Sequence, residues 1–442
     1  MDEWLWMSAA ELGRRIGSGE IDPVALTRAY LDAIAAHPDR DRIYARVTEA
    51  RALAEAEAAA ARARSGLRRS PLDGVPVSWK DMIDSAGVAT EAGTALMRGR
   101  VPARDATVLA NATGAGLVCL GKTHLSEIAF SGLGLNPVTA TPPNVHDPGA
   151  VAGGSSSGAA ASVAHGLAAA AVGSDTGGSV RIPAAWNDLT GLKTTHGLLP
   201  LTGTVPLCGR FDTIGPLTRS VEDAALMLAV LGDHKEADLD DVGLAGRRFL
   251  VLETVLMEGL EETPRAAFAS ALERLEAAGA VIERAPWAPL EEAYALSGPL
   301  FTGEAWSFWG ELVAERGEEM FPAIRERVSA GRDVAAADFL LGWERLEALR
   351  RAYATFTAPY DAVLSPTAAL MPPQVERLLS DPDHYRDANL LTLRNTRLAN
   401  LMGTCALTLP TGTPGTGLML TAAARGEGAL LRIGRAAERA LA

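Results

Sequence analysis

Two textures alternate along this chain: alanine-rich stretches carrying helix start signals, and short apolar runs cut by glycine and proline. The first texture opens it. Ser8-Ala9-Ala10-Glu11 has the form of a capping box, in which the serine hydroxyl takes up an orphan N–H of the first turn and the glutamate reaches back. A helix is predicted over 8–15. Asp22-Pro23 repeats the signal as N-cap and first helical residue, for a helix of about three turns ending at Ala36. A third helix, rich in Ala, Glu and Arg, is predicted over 47–65. These three helices read as a layer that packs on the core rather than folding alone.

From Gly74 the second texture takes over. Val75-Pro76-Val77-Ser78-Trp79 predicts a strand that delivers Lys80 at its end. Further strands are predicted over 117–120, 169–173, 248–253 and 281–283, with helices over 106–113, 157–164 and 264–278. The last two strands and the last helix belong to a second alternating stretch, 241–288. Residues 360–367 predict a buried strand followed by a turn. Pro410-Thr411-Gly412-Thr413-Pro414-Gly415 predicts a loop before a final strand and helix. Strands alternating with helices predict an α/β layered fold. No internal repeat or low-complexity linker divides the chain.

The chain has 442 residues, 48% hydrophobic and 21% charged, enough apolar material for a sizeable globular core. Charge narrows the partners: 54 acidic against 41 basic side chains give a net −13, which repels phosphate backbones and argues against nucleic-acid binding. Cys119, Cys208 and Cys405 have no metal-ligand spacing and cannot all pair, which fits a reducing compartment. Met1-Asp2-Glu3-Trp4 is acidic where a secretory signal is basic. The longest weakly polar run, 159–172, is shorter than the roughly 20 apolar residues of a membrane span and contains His165. The expectation is a cytoplasmic protein with no membrane partner, its oligomeric state left open between monomer and homodimer.

The candidate chemistry lies in three places. Gly153-Gly154-Ser155-Ser156-Ser157-Gly158 and Asp175-Thr176-Gly177-Gly178-Ser179 are glycine–serine clusters, and Lys80 stands in an apolar frame upstream. Glycine removes the Cβ bulk that would keep a substrate carbonyl from backbone N–H groups. A hydroxyl nucleophile needs a base, and burial leaves a lysine as the neutral amine that can serve as one. Such parts suit acyl transfer with no histidine in the relay.

These segments, in this order and at these spacings, closely resemble the amidase signature family, which has a Ser–cis-Ser–Lys triad. The resemblance covers most of the chain and is most specific over 153–183; the stretch 235–359 is not diagnostic. It implies one α/β/α layered domain with a large mixed central sheet: a helical layer over 1–66, a core with the triad over 74–220, and a variable substrate-side region over 235–359. It makes Ser179 the nucleophile, Ser155 the relay with a cis peptide bond before it, and Lys80 the base. Thr176, Gly177, Gly178 and Ser179 would supply the oxyanion hole through their N–H groups. Ser156, Asp175 and Arg181 are supporting residues, the last two suited to an ion pair that braces the nucleophile loop. Ala129 and Ser131 are candidate substrate-binding residues.

Two other patterns are rejected on physical grounds. Gly116-Leu117-Val118-Cys119-Leu120-Gly121-Lys122-Thr123 satisfies the P-loop expression, but its variable positions are those of a buried strand rather than a phosphate cradle. Gly154-Ser155-Ser156-Ser157-Gly158 satisfies the nucleophile-elbow expression, but no apolar strand leads into it. His124, His165 and His196 read as core or loop residues. Trp306, Phe308 and Trp309 have two readings, an aromatic acyl pocket or core, and their helical spacing favours core. The chain departs from the family pattern at Asp188, where a glycine is usual, and at Thr194, where a proline is usual.

The expected activity is hydrolysis of a small amide carrying an apolar or aromatic group, through an acyl-enzyme and without metal or organic cofactor. Esters and carbamates are accessible to the same machinery. The alternative is the A subunit of a tRNA-dependent amidotransferase, a glutaminase that works in a complex. Against it stand the lack of an evident docking feature and a length somewhat short for such a protein.

Overall fold

A computed structural model describes residues 2–232, 234–240 and 242–442; Met1 and Asp241, which open the acidic start and the second alternating stretch, lie outside the described residues. Eleven strands form one sheet. They are β1 (Tyr44–Val47), β2 (Pro76–Lys80), β3 (Val118–Thr123), β4 (Ala170–Asp175), β5 (Thr190–Lys193), β6 (Thr213–Thr218), β7 (Arg248–Leu252), β8 (Val281–Ala285), β9 (Ala362–Pro366), β10 (Cys405–Pro410) and β11 (Gly417–Ala422). Their order is β1-β3-β2-β4-β6-β5-β10-β11-β9-β7-β8. The sheet is mixed: β2 runs parallel to β3 and β4, and β7 to β8 and β9, while the pairs through β6, β5, β10 and β11 are antiparallel. Helices pack around it, as the α/β layered expectation requires.

Every residue of β2, β3, β4 and β9 is buried, which explains why these segments read as apolar runs rather than alternating ones. The edge strand β8 has no buried residue. The helix starts follow their caps. Ser8 Oγ accepts from Glu11 N at 3.1 Å, and Asp22 Oδ1 accepts from Val24 N and Ala25 N at 2.9 Å each. Such a cap contributes about 1 kcal/mol. The reciprocal half of the capping box does not form, because the Glu11 carboxylate takes Arg14 and Arg15 instead.

The helix Ser157–Ala164 falls where its small residues predict it. The helices Val221–Gly232, Pro289–Arg316, Ala336–Thr357 and Pro382–Leu401 are additions to the predicted set, and so are β1, β5 and β6. The short strands β5 and β6 carry Gly191, Gly215 and Pro216, which mask a strand signal. The 28-residue helix Pro289–Arg316 contains Pro299, which reads as a helix stop in sequence. It packs against the helices Pro322–Ser329 and Ala336–Thr357.

The topology places the site. β2 and β4 are parallel neighbours in register Val77↔Ala170 and Trp79↔Val172, so their carboxyl ends lie side by side. Lys80 ends one and Asp175 ends the other. Crevices at the carboxyl ends of such strands are where α/β sheets bind ligands.

Candidate active site

Lys80 is fully buried. Its Nζ donates to Ser155 Oγ at 2.6 Å and to Ser174 Oγ at 2.8 Å. Desolvation pushes the amine down to about 7, against the opposing pull of Asp175 and Asp212. The peptide bond Gly154–Ser155 is cis. Ser155 O accepts from Ser126 N at 3.1 Å, which pins the serine cluster to the loop before it.

The loop after β4 is organised by Asp175. Its carboxylate forms a fork with Arg181, Oδ2 to Nε at 3.0 Å and Oδ1 to Nη2 at 2.9 Å, and accepts from Gly178 N at 2.8 Å and Val180 N at 3.1 Å. Asn400 Nδ2 donates to the same carboxylate at 3.0 Å. Burial alone would raise this carboxyl; Arg181, Lys193 and the hydrogen bonds hold it well below the usual carboxylate range. The ion pair predicted between Asp175 and Arg181 is therefore present and fully buried, not a surface contact.

This bonding divides the four predicted oxyanion donors into one that is already bonded and three that are not. The Gly178 N–H is taken by Asp175, whereas the N–H groups of Thr176, Gly177 and Ser179 have no acceptor among the described residues. Gly178 has another function. Its φ is +140°, and a Cβ there would lie 2.0 Å from Thr396 Oγ1, so only glycine lets this turn pack under the Pro382–Leu401 helix. Gly177 differs: an added Cβ would meet only Leu393 Cδ2 at 3.6 Å, so glycine there keeps space open in front of the loop.

Ser179 is nearly buried and lines a narrow cavity of about 20 Å³ together with Ala129, Ser131, Thr176 and Gly177. Both substrate-binding candidates thus reach the same pocket as the nucleophile candidate. Ser131 Oγ donates to Asn389 Oδ1 at 3.1 Å. Phe301, Arg327 and Arg397 line this pocket and also a larger cavity of about 750 Å³ beside it.

Ser156 lies elsewhere. Its Oγ donates to Ser174 O at 3.2 Å and its N–H to Ser179 O at 3.2 Å, so it ties the serine cluster to β4 and to the nucleophile loop. The elbow pattern lies in a loop that leads into the helix Ser157–Ala164, with no strand directly before it. The P-loop pattern is β3 itself, with Lys122 Nζ donating to Asp81 Oδ1 at 3.1 Å and to Thr90 Oγ1 at 2.9 Å. Trp306, Phe308 and Trp309 line neither cavity. Trp309 is core, its indole donating to Pro206 O at 3.1 Å, and Phe308 is exposed. Asp188 has φ +53°, which explains a glycine-like position; its carboxylate accepts from Gly415 N at 2.9 Å and meets His146 Nε2 at 2.9 Å. Thr194 is buried and donates to Ile214 O at 2.8 Å.

Several site residues escape a reading of the sequence. Ser174 lies next to Asp175 in a buried strand, a polar residue where an apolar one is usual. Asp212 accepts from Thr176 Oγ1 at 2.6 Å and from Leu207 N at 2.9 Å, and nothing in its neighbourhood announces that. Arg327 carries a signal: it lies on one helix face with the buried Ile324 and Val328. Among the described residues no group of three or more His, Cys, Asp and Glu could hold a metal ion, and no helix is long and apolar enough to cross a membrane. The three cysteines are buried and free.

Known proteins share this architecture. A family model described as Amidase matches residues 25–431. The chain is 33% identical to 2-amino-5-chloromuconic acid deaminase of Comamonas testosteroni, over 97% of this chain and 94% of that protein. It is 30% identical to the A subunit of glutamyl-tRNA(Gln) amidotransferase from Chloroflexus aggregans, over 99% of this chain and 97% of that one. The crystal structure of an amidase matches it with a TM-score of 0.89 at 32% identity, covering 99% of this chain and 100% of that chain.

Proposed function

The chain belongs to the amidase family, whose enzymes hydrolyse amide C–N bonds, and we propose that it does so through an acyl-enzyme on Ser179. The observation that carries this reading is the buried Lys80 amine, held to Ser155 Oγ at 2.6 Å with its affinity for a proton lowered to about pH 7. An amine in that state is half neutral near pH 7, so it can accept a proton and return it.

In this mechanism Ser179 Oγ attacks the substrate carbonyl carbon. Its proton passes to Ser155 Oγ as the Ser155 proton passes to Lys80 Nζ. The carbonyl oxygen becomes an oxyanion held by the free N–H groups of Thr176, Gly177 and Ser179; one such donor contributes about 3 kcal/mol. Collapse breaks the C–N bond, and the leaving amine takes the proton back along the same path. The acyl group is left as an ester on Ser179. Water then attacks that ester, giving its proton to the relay; the ester C–O bond breaks, the relay returns the proton to Ser179 Oγ, and the acid departs. Asp175 and Arg181 position the nucleophile loop and touch no reacting atom. Ser156 positions the serine cluster.

The adjoining cavity of about 750 Å³ suits a small molecule, and its Phe301 and Phe321 offer an apolar wall. We assign residues 74–220 the chemistry and residues 235–359 the substrate side. The helices Pro289–Arg316 and Pro322–Ser329 support this division by supplying Phe301 and Arg327.

The similarity to amidotransferase proteins favours one second reading, a glutaminase dependent on a partner. Length does not separate the two, because the chain covers 97% of the Chloroflexus aggregans protein. The purified chain alone, assayed on primary amides, acyl anilides, esters and carbamates, decides. Turnover of small amides without a partner supports the hydrolase. Glutamine cleavage that appears only with partner proteins supports the amidotransferase.

A further inference from the structure

Arg327 and Arg397 both line the narrow pocket at Ser179, and among the described residues they are the only charged ones that do. Neither forms an ion pair among the described residues, where arginine–carboxylate pairs such as Arg181–Asp175 and Arg51–Asp105 occur elsewhere. Their contacts with the protein are few. Arg327 Nη1 donates to Phe130 O at 3.0 Å, and its guanidinium sits 4.3 Å from the Phe130 ring centroid. Arg397 Nη1 donates to Ser297 Oγ at 3.4 Å, with its guanidinium 5.7 Å from the Phe301 ring centroid. A guanidinium has five N–H donors, so most remain unspent.

Both side chains are half-buried, and the accessible part of each faces the cavities. The surroundings disfavour their charge. Desolvation, followed by mutual repulsion, pulls Arg327 down to about 10, and desolvation lowers Arg397 as well. Both stay cationic at neutral pH. Two like charges on one half-buried wall repel each other, and an anion between them relieves that repulsion. The acids on the larger cavity do not fill that place: Glu326 and Asp383 are exposed, and Asp383 pairs with Arg386 at 2.9 Å. The wall holds one more idle donor. The Tyr385 hydroxyl is buried there with no hydrogen-bond partner.

We propose that the substrate amide carries a carboxylate, and that Arg327 and Arg397 clamp it beside Ser179. This rests on the reading of Ser179 as the attacking residue. A carboxylate is planar and matches the fork of a guanidinium, so it satisfies donors that a neutral amide leaves unpaired. The clamp fixes the distance between carboxylate and scissile carbonyl, which selects among monoamides of dicarboxylic acids by chain length.

The test separates binding from turnover. Ser179→Ala protein is titrated by calorimetry with malonamate, succinamate and glutaramate, and with propionamide, butyramide and valeramide as their neutral counterparts. At least one acid should bind about 10- to 100-fold tighter than its neutral counterpart, the range expected for charge-assisted hydrogen bonds. Arg327→Met or Arg397→Met, each added to this background, should remove most of that preference. Arg327→Lys and Arg397→Lys, which keep charge but lose the fork, should retain part of it. Equal binding of acids and neutral amides overturns the clamp, as does a preference that survives both methionine replacements. The reaction is judged apart, by turnover of the wild-type chain. Cleavage of neutral amides without any preference for acids leaves the hydrolase standing and removes the clamp. Tight arginine-dependent binding of an acid that is never cleaved keeps the clamp and removes the hydrolase.

Discussion

Lys80 Nζ lies 2.6 Å from Ser155 Oγ across 75 residues of sequence. Lys80 ends β2, and Ser155 lies in the loop that leads into the helix Ser157–Ala164. Burial brings the proton affinity of this lysine, ordinarily a solvated cation, down to about 7.

The pH profile follows from that shift. The neutral amine is the working form, so kcat/KM should rise with pH and level off above about 7, falling about tenfold per unit below it. Burial holds His124 down to about 4, so it stays neutral over most of this range, and burial pushes His165 down as well. Replacing His124, His165 and His196 one at a time should leave the acidic limb in place. Loss of the limb in any of the three would assign the base to a histidine.

Removing the amine should discriminate between leaving groups. Lys80→Ala should lower amide turnover by several orders of magnitude and ester turnover by less, because an amine departs only when protonated and an alkoxide departs more readily. Matched ester and amide substrates measure the difference. Equal losses on both would show that Lys80 does not protonate the leaving group.

The two glycines of the nucleophile loop should respond differently to a methyl group. Gly178→Ala meets Thr396 Oγ1 and a φ of +140°, so denaturant unfolding should show a loss of about 2 kcal/mol or more. Gly177→Ala meets only Leu393 at 3.6 Å, so stability should change by less than about 1 kcal/mol. Its kcat/KM should nonetheless fall at least about tenfold, because the methyl group enters the space that the substrate carbonyl needs. A fully active Gly177→Ala would place the substrate elsewhere.

The ion pair at the base of the loop sets stability as well as shape. Asp175→Asn leaves the Arg181 charge buried and unpaired, which should cost about 3–5 kcal/mol at pH 7. The folded-state carboxyl lies below its ordinary value of about 3.9, so its contribution is complete above that value and fades as pH falls below it. The stability gap between wild type and variant should therefore narrow on acidification below about pH 4. A gap that widens there would reverse the sign of the coupling.

Much of this is legible in the sequence because it is local. Capping residues mark the first helices, and fully buried strands announce themselves as apolar runs. The glycine–serine clusters mark the candidate site. What stays hidden depends on distant chain. Gly178 N–H counts as an oxyanion donor until Asp175 is seen to occupy it. Ser174 and Asp212 join the site only through the register of β4 and β6. Arg327 is legible as a charge on the apolar face of its helix, whereas Arg397 lies in a helix that faces both core and cavity.

The central claim is that Ser179 is the attacking residue, and a fluorophosphonate reads it directly. The purified chain is labelled, digested and mapped by mass spectrometry. The account predicts one phosphonylated serine, Ser179, with no labelling in Ser179→Ala and much slower labelling in Lys80→Ala. Labelling at Ser156 or Ser155 that persists in Ser179→Ala would contradict it.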